Sequence, residues 1–130
     1  MPNLTRDELM KMATMDYFGN VDKKNMDGVL ANFHENAVVT IPTDPIVHED
    51  RDQGLRKMYQ ALFDSYVEIW HGNFECTVDE KAQSVSARFD VYLKTEDGTE
   101  IKLTNCNFWY MEDGKISRMY VFMSGPNVLK

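Results

Sequence analysis

Cysteine is scarce in this chain. Only Cys76 and Cys106 occur in 130 residues, without the spacing of a disulfide framework, so stability has to come from a core. The three histidines, His34, His48 and His71, stand far apart and make no His-Glu-x-x-His pattern, so no metal is expected. Positive charge is also short: 14 Lys and Arg face 21 Asp and Glu, a formal net charge of -7 with no basic run. That argues against nucleic acid and against an anionic membrane surface as partners, since both are held by positive charge. No apolar run approaches the roughly 18 residues of a membrane span. The first ten residues are polar and lack the apolar segment of a secretory leader, so a cytoplasmic location is expected. There is no serine-histidine-acid order, phosphate loop or dinucleotide glycine pattern, and no cofactor is expected.

What the chain has in quantity is large apolar side chains: seven Phe, six Tyr, two Trp and nine Met. They suffice for one core in one domain spanning 1–130, and methionine also suits the wall of an irregular cavity. The stretch Leu9 to Pro42 organises the rest. Thr5 and Glu8 have capping-box spacing, which predicts a helix from Arg6 to about Asp22. A polar joint, Asp22 to Asn25, leads to a second short helix from Met26 to about Phe33, capped by Asn25 and carrying Val29, Leu30 and Phe33. Ala37 to Ile41 reads as extended, and Pro42 and Pro45 then predict a loop through Val47. Asp50 and Gln53 mark the start of a third helix. Leu55, Met58, Tyr59, Leu62 and Phe63 recur along it at helical spacing, to about Asp64 or Ser65.

From Tyr66 the period changes to two. Phe74, Cys76 and Val78 alternate with polar neighbours, and Val85, Ala87, Phe89, Val91 and Leu93 alternate with Ser84 to Lys94. Asp97-Gly98 and Asp113-Gly114 supply turns that bound strands from Glu100 to Met111 and from Ile116 to Met123. The result is an α+β arrangement, three helices followed by a mostly antiparallel sheet. The Glu100 to Met111 strand has large side chains on both faces and wants cover on both. A second copy of the chain, making a homodimer, would supply it.

Three signatures in this order resemble the nuclear-transport-factor-2-like, or ketosteroid isomerase-like, superfamily, closest in style to SnoaL-like domain proteins. They are Tyr17-Phe18-Gly19-Asn20-Val21-Asp22 followed by Met26 to Ala37, Val47-His48 leading into Gly54 to Tyr59, and Phe108 to Ile116. The resemblance implies a cone-shaped fold: N-terminal helices packed into a strongly curved sheet that encloses a deep apolar pocket, commonly in a homodimer. It also implies that Tyr17 matches a tyrosine that donates to a developing oxyanion. The general-base aspartate of ketosteroid isomerase is replaced by Ile41, before Pro42, and the second acidic donor by Cys106, with Asn105 and Asn107 beside it. An aliphatic side chain accepts no proton, so chemistry of that kind would need another base.

The candidate catalytic residues are accordingly Tyr17 as donor and His71 or Asp90 as base. Histidine suits proton transfer near neutral pH, and Arg88 could hold Asp90 ionised if that strand face lined the pocket. If it faces outward, both are surface charges. Tyr17 could equally anchor its ring in the core. Asn105 and Asn107 could orient a ligand oxygen, and Phe108, Met123, Phe63 and Tyr59 complete the expected ligand-binding set. The expected protein holds an apolar small molecule bearing a carbonyl or hydroxyl, as an isomerase, cyclase or dehydratase, or else as a non-catalytic binding or accessory homodimer.

Overall fold

The helical layer begins where the sequence asks for it. Thr5 Oγ1 accepts from the Glu8 amide at 3.2 Å while Glu8 Oε1 accepts from the Thr5 amide at 2.9 Å, closing the capping box. In the computed structural model, which describes residues 3–130, α1 (Arg6–Lys11) runs through a wider π-helical turn (Met12–Tyr17) into α2 (Phe18–Asp22). Such turns often mark functional sites, and this one ends on Tyr17. Asn25 caps α3 (Met26–Leu30), its side-chain oxygen accepting from the Gly28 amide at 3.2 Å. The helix stops three residues short of the expected end. Phe33 instead opens β1 (Phe33–Ile41) opposite Ile116, where both side chains are fully buried.

The two prolines behave as turn residues between β1 and a short edge strand, β2 (Ile46–Glu49), where the sequence suggested only loop. Another π-helical stretch (Asp50–Leu55) continues into α4 (Arg56–Ser65), which buries Met58, Tyr59, Leu62 and Phe63. The remaining strands are β3 (Glu68–Asp79), β4 (Ser84–Lys94), β5 (Glu100–Glu112) and β6 (Lys115–Met123). Their alternation is as the period of two requires. Val85, Ala87, Phe89, Val91 and Leu93 of β4 are buried, as are Leu103, Asn105, Asn107, Trp109 and Met111 of β5.

The strongly curved cone is not what forms. The six strands make an open, mixed sheet in the order β2-β1-β6-β5-β4-β3, with β1 and β6 parallel and the other four pairings antiparallel. Its edges, β2 and β3, do not pair, and the sheet is neither closed nor strongly curved. One physical reason lies in how the interior is filled. Trp109, Tyr59, Phe33 and Phe89 are buried between helices and sheet, so the space a cone would enclose is largely packed. Each such side chain stabilises the fold by about 1.5–3 kcal/mol.

The outer face is partly apolar. Phe108 and Phe122 meet edge to face at 5.8 Å, and the Arg118 guanidinium sits 4.0 Å from the Tyr110 ring centroid. At Gly72 a Cβ would lie 2.2 Å from the exposed Trp70 ring that folds across it, so any larger residue there has to displace that ring.

Candidate functional site

Among the described residues, packing leaves a small inner cavity of about 30 Å³ between α2, α4, the inner faces of β3–β6 and the C-terminal segment. That is room for a water molecule or two. Its wall is mostly hydrocarbon, and its polar groups are Tyr17, Tyr59, His71, Asn105 and Asn107.

Tyr17 and Tyr59 point their hydroxyls at one another, 2.6 Å apart, in full burial. One O–H donates to the other oxygen, which leaves the second O–H free to donate elsewhere. Burial pushes both phenols well above their ordinary range. Both are therefore neutral donors at physiological pH. The Tyr17 ring is also wedged edge-on against Phe18, Phe33 and Trp109 at 4.7, 6.0 and 5.8 Å. It is core anchor and polar group at once.

His71 lies on the inner face of β3 opposite Val91, stacked on Phe18 with ring centroids 4.3 Å apart. Asp22, the last residue of α2, grips it twice. One carboxylate oxygen accepts from the His71 backbone amide at 2.9 Å, and the other lies 2.6 Å from Nδ1. A carboxylate only accepts, so the neutral imidazole carries its proton on Nδ1 and keeps the Nε2 lone pair free. Imidazole and carboxylate side chains are 10% and 22% exposed, so this contact is only lightly screened by solvent.

The β5 inner row supplies the amides. Asn105 Oδ1 accepts from the Ser124 amide at 3.3 Å. Asn107 is 2% exposed, and its Oδ1 has no hydrogen-bond partner among the described residues. A buried acceptor without a partner costs about 1–3 kcal/mol, so this amide is set to receive a donor from whatever enters. Cys106 lies between the two asparagines and takes the outer face, opposite Arg88, so it offers the cavity nothing.

Of the nine candidate residues, Tyr17, Tyr59, His71, Asn105, Asn107 and Met123 border this one cavity. Phe63 lies behind Tyr59, its ring centroid 6.3 Å away. Phe108 is on the outer face, and so is Asp90, where donation from Asn73 and Arg88 holds its carboxyl below the usual carboxylate range. Two features escaped the sequence. Asp22 reads there as part of a polar joint, and nothing local ties it to a histidine 49 positions later. Val128 and Leu129, which follow the last strand, form part of the cavity wall.

Among the described residues no cluster of three or more His, Cys, Asp or Glu could hold a metal ion, and no helix is long and apolar enough to cross a membrane. No curated protein matches the chain in sequence. Solved structures match it closely in fold. AusH from Aspergillus nidulans superposes with a TM-score of 0.80 over 97% of this chain and 89% of its own, at 17% identity. A candidate polyketide cyclase from Xanthomonas campestris pv. campestris gives 0.79 over 90% of each chain at 18% identity. A candidate isomerase from Bacillus subtilis gives 0.82 over 96% and 92% at 15% identity. Identities this low establish the fold and leave the chemistry open. The sequence pattern of the SnoaL-like domain matches residues 15–119, and with that the chain belongs to the SnoaL-like family.

Proposed function

We propose that this chain is an acid–base catalyst acting on an apolar molecule that carries a carbonyl or hydroxyl group. His71 is the base. Nε2 takes a proton from carbon next to the carbonyl, while Asp22 fixes the ring and its tautomer and steadies the cation that forms. The free O–H of the Tyr17–Tyr59 pair donates to the substrate oxygen as negative charge develops there, and Asn107 binds a second polar group. Returning the proton to a different atom gives isomerisation; expelling a neighbouring hydroxyl gives dehydration. The observation that carries this reading is the Asp22–His71 contact at 2.6 Å on the wall of the cavity that also holds the tyrosine pair. It supplies a base where Ile41 cannot.

The test is exchange of the α-hydrogens of a panel of ketones in D2O, followed by mass spectrometry. A positioned general base is worth about 10²–10⁴-fold. His71→Asn should therefore lose at least two orders of magnitude. Asp22→Asn should lose less, with partial rescue in Asp22→Glu, as expected of a residue that acts through the histidine. Exchange that is unchanged in His71→Asn sinks the proposal.

A non-catalytic binding or accessory role is the second reading, favoured by the small size of the inner cavity. In either case the half-buried aromatic outer face of β5 and β6 supports self-association as a homodimer, and the two free cysteines suit the cytoplasm.

A further inference from the structure

The inner row of β5 does not end at the cavity. Asn105 and Asn107 border it, and the preceding residues of the same row, Ile101 and Leu103, border a groove of about 610 Å³ between the end of α4 and the C-terminal segment. Cavity and groove are thus neighbours along β5, the groove also taking in Glu100 and Lys102 from the other side of the strand where β5 begins. Val128 is the one residue that lines both. Behind it Leu129 is buried, 8% exposed.

The segment carrying Val128 is lightly attached. Among the described residues, the hydrogen bond that ties 125–130 to another element runs from His48 Nε2 to the Leu129 carbonyl oxygen, at 2.9 Å. The Leu129 amide is satisfied within the segment by Asn127 Oδ1 at 2.8 Å, while Asn127 Nδ2 is buried without a partner. Gly125 crosses so close over Leu103 that a Cβ would lie 2.7 Å from its Cδ2 atom. A segment held by one hydrogen bond and two apolar side chains, with an orphaned amide, is a poor permanent wall and costs little free energy to open.

We propose that the groove is a second substrate subsite, joined to the inner cavity when residues 125–129 swing aside. This deepens the catalytic reading above and rests on it for the role of the inner end. The occupant is a carbonyl compound too large for the cavity alone. Its oxygen-bearing end reaches Tyr17, His71 and Asn107, and its apolar body lies against Tyr66, Ile101 and Leu103. The groove volume falls in the range of ordinary small-molecule pockets, about 300–1,000 Å³, whereas the cavity does not.

Nile red, an apolar polycyclic ketone whose fluorescence rises on leaving water, is a direct probe. The native chain should bind it. Ala61→Trp, which fills the groove from the exposed face of α4, should weaken binding at least tenfold, and Val128→Ala, which thins the partition, should tighten it several-fold. His48→Ala should speed association by releasing the latch. No binding, or equal affinity in the native, Ala61→Trp and Val128→Ala chains, overturns the proposal. Hydrogen exchange distinguishes the two readings. Groove-dependent Nile red binding without ketone exchange removes the catalytic role and leaves the subsite. Exchange with groove-independent Nile red binding removes the subsite alone.

Discussion

Two halves of the same strand face behave differently. Along the inner row of β5, Met111 and Trp109 are packed into the core, while Asn107 and Asn105, two and four residues back from Trp109, border open space. The first half serves stability. Trp109 is fully buried, in edge-on contact with Tyr17 and Phe18, and the burial of its large ring outweighs an indole N–H that has no partner among the described residues. The second half spends stability: it holds an amide oxygen without a partner, and it faces a cavity shared with the Tyr17 and Tyr59 phenols, which are bonded only to each other in the hydrogen-bond network. Polar groups left in this condition are what a fold would shed unless something used them.

That contrast can be broken at its stable end first. Trp109→Ala should cost about 3–5 kcal/mol of unfolding free energy, read from urea denaturation, because the ring has no room to be replaced by collapse of its neighbours. The tyrosine pair should show itself in alkali. Both hydroxyls are held above their unfolded range by burial, so above about pH 10 the unfolded chain releases protons that the folded chain keeps. Stability is then full below that pH and falls as pH rises. Each tyrosine contributes up to about 1.4 kcal/mol per pH unit. A Tyr17→Phe, Tyr59→Phe double variant should have a shallower alkaline slope by urea titration, and an unchanged slope would remove the pair from the account. The smallest effect has the opposite sign. Asn107→Leu should stabilise the chain by about 1 kcal/mol, since it replaces an unsatisfied acceptor by hydrocarbon, and should weaken binding of a hydroxyl-bearing ketone, measured by calorimetry. Loss of stability instead would mean that the amide is satisfied in solution.

Much of this was legible beforehand, for local reasons. The capping box at Thr5, the helical stripe of α4 and the alternation of β4 and β5 are short-range patterns, and each formed near its expected place. The same alternation puts Asn105 and Asn107 on one face and Cys106 on the other. The misjudged parts depend on what distant segments do together. The strongly curved sheet failed because curvature is a property of six strands and of the rings filling the space beneath them, and no single strand encodes it. The helical spacing of its neighbours predicts Phe33 at the end of a helix, and pairing with β6 draws it into a strand.

The amino-acid order alone therefore determined most of the helices and strands, their amphipathic faces and the family resemblance, since these rest on patterns among residues close in sequence. Tertiary structure alone decided that Asp22 would hold His71, that Asp90 would look outward with Arg88, and that Val128 would stand between a cavity and a groove. Those are meetings of side chains tens of residues apart, and a hydrogen bond or a cavity wall exists only once packing has brought its members within a few ångströms.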